Sequence, residues 1–255
     1  MLLLLKIALP PLLVAAISLV ARWWGPTVGG LLLGLPWMTG PVLFFLALDK
    51  GVEFAVAAST GIELGVVCIA AFMLAYGAVS IFARWPASLT AAAAAFAASA
   101  WAVQDVELTL PAAAAAAAAS LGGAYLLLPR PRTPVASARP PWWDIPARML
   151  TAFTLVGAIM LSADVLGPRL SGIVSTYPAM VTVVGAFTHQ QWGRDAVHHM
   201  LRGLTLSMLV FVVFFLAVGM SLPTLGLVAS FACAAVLVLA IDGILLVLIR
   251  RRQPG

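Results

Sequence analysis

The sequence predicts an all-α, polytopic transmembrane helical bundle, and three observations lead to this class. Of the 255 residues, 63% are hydrophobic. Only 9% are charged, against roughly 25% in a typical soluble domain. Several apolar stretches reach or approach the roughly 20 residues that a helix needs to cross a hydrocarbon core. The third observation is a repeated glycine and proline pattern, "GPTVGGLLLGLP" at residues 25–36 and "GPRLSGIVSTYP" at residues 167–178.

The chain divides into about nine apolar segments. In order, we predict transmembrane spans at residues 7–21, 27–48, 54–82, 87–104, 110–129, 148–166, 169–188, 203–222 and 228–249. The stretch at 130–147 is rich in proline and arginine, which is typical of a linker. The predicted organisation is therefore a first repeat plus an extra transmembrane helix at 1–129, a cytoplasmic linker at 130–147 and a second repeat at 148–255.

Two halves of the chain align without a gap at an offset of 142 residues. Between residues 13 and 77, 20 of 65 positions are identical in the two halves, and the glycine and proline matches are the most informative. Each repeat contains four spans, and the segment 110–129 has no counterpart in the second half. Because four spans return a chain to its starting side, this fifth span inverts the second repeat. We therefore expect two inverted four-helix repeats plus one extra helix.

The basic residues indicate orientation. With the N-terminus outside, the cytoplasmic side receives eleven basic residues, and only Lys6, Lys50 and Arg169 fall outside. This is a strong positive-inside bias, which predicts a multi-pass protein of the bacterial inner (plasma) membrane with a cytoplasmic C-terminus. Basic residues sit at the ends of segments and form no stripe for phosphates, so no nucleic-acid partner is expected.

Prolines interrupt the predicted spans 2 and 7 at matched positions. Pro36 and Pro178 each lie 11 residues after the start of the repeated pattern, which is about 16 Å along a helix and close to the middle of a bilayer. We therefore expect the two broken helices to meet near the midplane. Paired broken helices in inverted repeats are typical of the central site of a transporter. The alternative is that the prolines only kink two packed helices. The residues around the breaks that are candidates for binding a substrate are Thr39, Pro41, Thr176, Tyr177 and Thr182.

Two acidic residues lie inside predicted spans. Glu63 is about 18 Å deep in span 3, where a charged group is costly and indicates function by default. It is our candidate for proton or substrate coupling, with Ser59 and Thr60 on adjacent turns of the same face. The alternative is a hydrogen-bonded Glu that ties two helices together. Asp242 in span 9 is a candidate for a proton path, and a structural hydrogen bond is an equal alternative.

A polar stretch, "THQQWGRDAVHHMLRG", occupies residues 188–203. It is predicted to be a cytoplasmic gate or a juxtamembrane helix that meets headgroups or an anionic substrate. The gate candidates are His189, Arg194, Asp195, His198, His199 and Arg202. No supporting ligands can be argued around these side chains, so neither a metal site nor a cofactor is expected.

The paired phrases "VGGLLLGLPWMTGPVLFFLALDKG" and "LSGIVSTYPAMVTVVGAFTHQQWG" carry a resemblance. Here the chain resembles a family of uncharacterised bacterial integral membrane proteins with duplicated halves. Its outline is also similar to inverted-repeat secondary transporters with crossed broken helices, such as the bile-acid symporter and cation/proton antiporter superfamily. It departs from these in its nine predicted spans and in lacking paired aspartates at the crossing.

The leading functional hypothesis is a secondary active transporter of a small solute, proton-coupled through Glu63, that works by alternating access. A membrane-embedded enzyme or lipid-handling protein and a structural membrane subunit remain as alternatives. No motif of a serine hydrolase, zinc protease or P-loop enzyme is present, which disfavours an enzyme, and no catalytic residue is assigned. The expected partners are the lipid bilayer and an unknown small-molecule or ion substrate, with a homodimer left open.

Overall fold

The structure, a computed structural model, describes residues 2–37, 39–133, 142–158 and 177–252, without the side chains of 2–9, 242 and 245–252. These residues form helices joined by short turns, and they contain no strand, which confirms the all-helical class. The helices are α1 Leu2–Trp24, α2 Pro26–Leu33, α3 Thr39–Lys50, α4 Val52–Val79, α5 Trp85–Val103, α6 Leu110–Leu127, α7 144–158, α8 Ala179–Leu225 and α9 Leu227–Arg252.

Four helices in the described part of the chain are long and apolar enough to cross a membrane, namely α4, α5, α6 and α8. The shortest, α6, has 18 residues and so spans about 27 Å, close to the thickness of a hydrocarbon core. Shorter apolar segments occur at Pro10–Trp24 and Leu227–Ile241. Residues 159–176, which hold parts of the predicted spans 6 and 7, lie outside the described residues. The count of nine spans thus stays a prediction.

Glycines at matched positions make the same turn between helices. Gly51 joins α3 to α4 with φ 91° and ψ 173°, and Gly193 interrupts α8 with φ 78° and ψ −177°. This region of backbone space is almost confined to glycine, because a Cβ would clash there. Gly193 divides α8 into a first arm, residues 179–192, and a second arm, residues 194–225. The two turns lie 142 residues apart, as the alignment of the halves requires.

The core of the bundle lies between α4 and the second arm of α8, which run antiparallel. Ser59 lies against Gly219 at one end of this pair, and the Ser80 hydroxyl bonds to His198 at the other. Advancing 21 residues along α4 thus corresponds to going back 21 residues along α8. Fully buried side chains fill the space between and around the two helices, including Phe72, Met73, Leu201, Leu204 and Phe215.

This register places the two matched turns at opposite ends of the bundle. Gly51 precedes the start of α4, whereas Gly193 lies beside the end of α4, and we name the two ends the Gly51 end and the Gly193 end. Nine residues beyond Ser59 is Cys68, and nine residues before Gly219 is Val210. Cys68 and Val210 therefore lie at the same level of the two helices, and they are also matched by the 142-residue offset. The level of Cys68 and Val210 is thus the midpoint of the contact between α4 and α8, and the two halves of the chain are related to each other about this point.

A close crossing fixes α2 against the second arm of α8. A Cβ built on Gly30 would overlap the carbonyl oxygen of Met200, and one built on Gly203 would overlap the carbonyl oxygen of Thr27. Two backbones can approach this closely only where both contact positions lack a side chain. Since α2 follows α8 in parallel beyond this point, with Gly34 beside Ser207, the crossing positions the break that ends α2.

Candidate functional site

The first break separates α2 from α3 at residues 34–38, and the described residues there are non-helical at Pro36, as the proline predicts. Its freed carbonyl groups acquire partners locally. The indole Nε1 of Trp37 donates a hydrogen bond to the Leu32 carbonyl oxygen at 2.9 Å. The Gly40 amide donates to the Pro36 carbonyl oxygen at 3.0 Å and so begins the next helical turn. The carbonyl oxygens of Leu32 and Pro36 therefore have hydrogen-bond partners at the break.

The second break precedes α8. Pro178 is buried and non-helical, and the Thr182 amide donates to its carbonyl oxygen at 2.9 Å. The Thr182 hydroxyl donates to the Tyr177 hydroxyl at 3.0 Å, and the Tyr177 ring meets Phe72 and Phe96 edge to face. Two of the predicted residues, Tyr177 and Thr182, are thus brought together in a pocket of aromatic rings. Thr176 lies outside the described residues.

The two breaks lie at different levels along the bundle, and not at the common level that the sequence predicted. Gly40, just after the first break, packs beside the ring of Phe214, whereas Tyr177 packs against Phe72. These two phenylalanines are matched by the duplication, and each lies four residues from the Cys68 and Val210 midpoint, on opposite sides. The breaks are therefore about 12 Å apart along the axis of α4. The first break packs against the second arm of α8, in the second half, and the second break packs against α4, in the first half.

Glu63 lies at the level of the first break. It is five residues before Cys68 on α4, which places it opposite Phe215 and one residue from the Phe214 that contacts Gly40. Its side chain is fully buried, and neither carboxyl oxygen has a hydrogen-bond partner among the described residues. A buried carboxyl without a partner is costly, and charging it costs more, so in this state the neutral, protonated form is favoured.

The remaining candidates near Glu63 differ in setting. The Ser59 and Thr60 hydroxyls donate hydrogen bonds to carbonyl oxygens of their own helix. The acceptors are the carbonyl oxygens of Ala55, at 2.9 Å, and Val56, at 3.3 Å. Thr39 is half-buried beside the first break, and Pro41 is exposed. The backbone of Asp242 belongs to α9, but its side chain is outside the described part of the structure.

The three histidines of the polar stretch lie at the Gly193 end, each with a different partner. His189 Nδ1 is 3.4 Å from the Tyr76 hydroxyl, and His199 Nδ1 is 3.4 Å from the Thr27 hydroxyl. His198 is buried, with Nε2 at 2.9 Å from the Ser80 hydroxyl. Within the described residues no group of three or more His, Cys, Asp or Glu side chains converges on a common point.

The charged gate candidates bind the ends of neighbouring helices. Arg194 donates to the Ile81 carbonyl oxygen at 2.7 Å, just past the end of α4. Arg202 donates to the carbonyl oxygens of Tyr125 and Leu128 at the end of α6, at 3.1 and 3.3 Å. Asp195 accepts bonds from the backbone and hydroxyl of Thr133, in the stretch that follows α6. These contacts hold α8 against the ends of α4 and α6 in the present state, since the two arginines donate hydrogen bonds to the last carbonyl groups of these helices.

A buried charge network at the same end was missed by the sequence analysis. Asp144, at the start of α7, accepts hydrogen bonds from Arg22, from Gln191 and from Arg148 Nε, the last at 3.0 Å to both carboxylate oxygens. Arg148 also donates to Gln191 Oε1 at 3.2 Å, and its guanidinium lies 4.9 Å from the ring centre of Phe187. Asp144 and Arg148 are 0% and 1% exposed. The one local signal for this network is the spacing of Asp144 and Arg148, four residues apart.

Comparison with protein-family models, with curated proteins and with solved structures finds no match for this chain.

Proposed function

We propose that this protein is a secondary active transporter of a small solute across the bacterial inner membrane, and that Glu63 couples transport to proton movement by alternating access. One observation carries the proposal. Glu63 is fully buried, without a hydrogen-bond partner among the described residues, in a helix long and apolar enough to cross a membrane. It lies at the level of a helix break that is repeated in the other half of the chain. An intramembrane carboxyl beside a broken helix is the usual chemistry of a coupling site.

The inverted repeats of this proposal are supported by the register of α4 and α8. Antiparallel helices whose matched residues, Cys68 and Val210, lie at the same level are exchanged by a two-fold axis perpendicular to both. If the helices cross the bilayer, that axis lies in the membrane plane, which is the geometry of inverted-topology repeats. The turns at Gly51 and Gly193 at opposite ends of the bundle agree with it. In such transporters each repeat adopts the conformation of the other repeat when the protein changes between its inward-open and outward-open states.

The orientation of the proposal is supported by the arginines of the Gly193 end. Arg22, Arg148, Arg194 and Arg202 meet there through the contacts described above, although they come from α1, α7 and the second arm of α8. The positive-inside rule assigns such an end to the cytoplasm. The Gly51 end, with Lys50, then faces the outside, and α9 returns the C-terminus to the cytoplasmic side.

The coupling step follows from the surroundings of Glu63. When the carboxyl is protonated it is neutral and tolerated in its buried position. When it loses the proton, the carboxylate needs water, a cation or a cationic group of the substrate, and none of these is supplied by the described side chains around it. Deprotonation therefore favours a state in which the first break is hydrated, so proton release and opening toward one side are linked.

The test uses proteoliposomes that enclose a pH-sensitive dye, with a panel of small organic acids, amines, amino acids and monovalent cations. At least one solute gradient is expected to move protons in the wild type and not in E63Q. E53Q is the matched control, because Glu53 undergoes the same substitution at an exposed position of the same helix.

Two results would overturn this proposal. A solute-driven pH change of equal size in E63Q would remove Glu63 from the coupling step. If the wild type gives no pH change with any solute of the panel, the proton-coupled carrier is wrong and a membrane enzyme, lipid-handling protein or structural subunit is favoured.

A further inference from the structure

The charge network around Asp144 carries an excess positive charge. Among the described residues it contains two guanidinium groups, of Arg22 and Arg148, and a single carboxylate. Asp144 accepts hydrogen bonds from both arginines and from Gln191, but its single negative charge balances only one of the two guanidinium charges. Within the described residues the network is therefore one negative charge short of neutrality, and buried charges are normally paired.

The excess charge resides on Arg22. Arg148 is almost fully buried, is bonded to Asp144 through Nε and to Gln191 through Nη2, and lies over the rings of Phe187 and Trp192. Arg22, in contrast, shares Asp144 through one nitrogen only. Its Nε is buried without a hydrogen-bond partner in the described residues, while 22% of its side chain is exposed. Arg22 thus keeps donors for a group that approaches from outside the protein.

Exposed tryptophans place Arg22 at the level of lipid headgroups. Trp23 and Trp24 follow Arg22 directly, and Trp142 and Trp143 directly precede its partner Asp144. These four side chains are between 50% and 88% exposed. Tryptophan concentrates at the boundary between hydrocarbon and headgroups, where its apolar ring meets lipid and its N–H meets polar groups. A ligand that reaches Arg22 between these rings needs both an acidic group and an apolar part.

We propose that Arg22 and the flanking tryptophans bind the phosphate group of an anionic phospholipid in the leaflet at the Gly193 end. The guanidinium of Arg22 donates to phosphate oxygens, and the tryptophan rings contact the glycerol and the first acyl carbons. The N–H groups of a guanidinium can donate two parallel hydrogen bonds to a phosphate, and basic pockets at the membrane boundary bind anionic headgroups. A free inorganic anion shares the phosphate chemistry but makes no use of the tryptophans.

The test measures lipid affinity by native mass spectrometry of the full-length protein in detergent. The probes are phosphatidylglycerol and phosphatidylcholine with identical acyl chains, and inorganic phosphate serves as a competitor. The wild type is expected to prefer phosphatidylglycerol at least about tenfold, and R22Q to lose most of that preference. R84Q is the control, since Arg84 is an exposed arginine at the same end of the bundle, and it is expected to change the preference less than about twofold.

R22Q leaves Asp144 bonded to Arg148 and Gln191, so a neutral pair remains and the fold is expected to persist. R22K checks this directly, because it keeps the charge and is expected to retain part of the preference. Equal affinity of the wild type for both lipids overturns the proposal, as does an equal loss in R22Q and R84Q. Displacement of phosphatidylglycerol by millimolar inorganic phosphate overturns it too, because the site is then one for a free anion. Since none of these measurements involves solute flux, their failure leaves the proposed transport function untouched.

Discussion

The crossing of α2 and α8 makes a strong prediction about a single methyl group. A Cβ added in G30A would overlap the Met200 carbonyl oxygen and come within 2.9 Å of the Leu204 amide nitrogen. Both atoms belong to the backbone of α8, where the Met200 carbonyl and the Leu204 amide are paired at helical spacing. No side-chain rotation relieves this clash. Either α2 moves away from α8 until the contact exceeds 3.0 Å, or the helix of α8 is distorted.

The expected cost of G30A is about 3 kcal/mol of unfolding free energy, the upper end of the usual range for overpacking. The assay is titration of the protein in mixed micelles with sodium dodecyl sulfate, followed by helical circular dichroism and by tryptophan fluorescence. G122A is the matched control on α6, since a Cβ there meets no heavy atom within 4 Å. It is expected to leave stability unchanged or to raise it by up to about 1 kcal/mol. A loss below about 1 kcal/mol in G30A, no more than the average substitution causes, would refute the close crossing.

The same assay tests three other features. D144N leaves the buried guanidinium of Arg148 and the half-buried one of Arg22 without a carboxylate, and it is expected to lose about 3–5 kcal/mol. The exposed control D49N is expected to change stability by less than about 0.5 kcal/mol, and similar values for both would contradict the buried network. G51A and G193A are each expected to lose about 1–3 kcal/mol, because alanine is strained at the positive φ of both turns, and a loss in only one would argue against their equivalence. S80A removes the described partner of the buried His198 Nε2 and is expected to lose about 1–3 kcal/mol, with S221A as control because the half-buried Ser221 hydroxyl bonds only within its own helix.

The features that sequence could predict are those determined by local chemistry. The glycine pair at 51 and 193 was visible as a matched position, and both residues make the same turn. Pro36 and Pro178 were predicted to interrupt helices, and the described backbone is non-helical at both. A proline lacks an amide hydrogen and a glycine lacks a Cβ whatever surrounds them, so their effect on the backbone can be inferred without tertiary contacts.

The features that sequence could not predict depend on contacts between distant residues. Asp144 lies 122 residues from Arg22 and 47 from Gln191, and its proline-rich surroundings indicated a solvated linker. The depth of each break could be calculated along its own helix, but the axial offset of about 12 Å depends on the register of α4 against α8. That register is set by contacts such as Gly77 with Leu201 and Gly219 with Ser59. Glu63 was predicted to lie inside a span, and α4 is long and apolar enough to cross a membrane. That its carboxyl oxygens have no hydrogen-bond partner among the described residues could be known only from the packed structure.

The most direct test of this account is the sidedness of its two matched glycine turns. Single cysteines replace the exposed residues Lys50 and Arg194, next to Gly51 and Gly193, in a background without Cys68 and Cys233. A membrane-impermeant maleimide is then applied to right-side-out and to inside-out vesicles. We expect the cysteine at 50 to be labelled from the outside and the cysteine at 194 from the cytoplasmic side. Labelling of both from the same side would contradict the inverted repeat and, with it, the transport mechanism built on it.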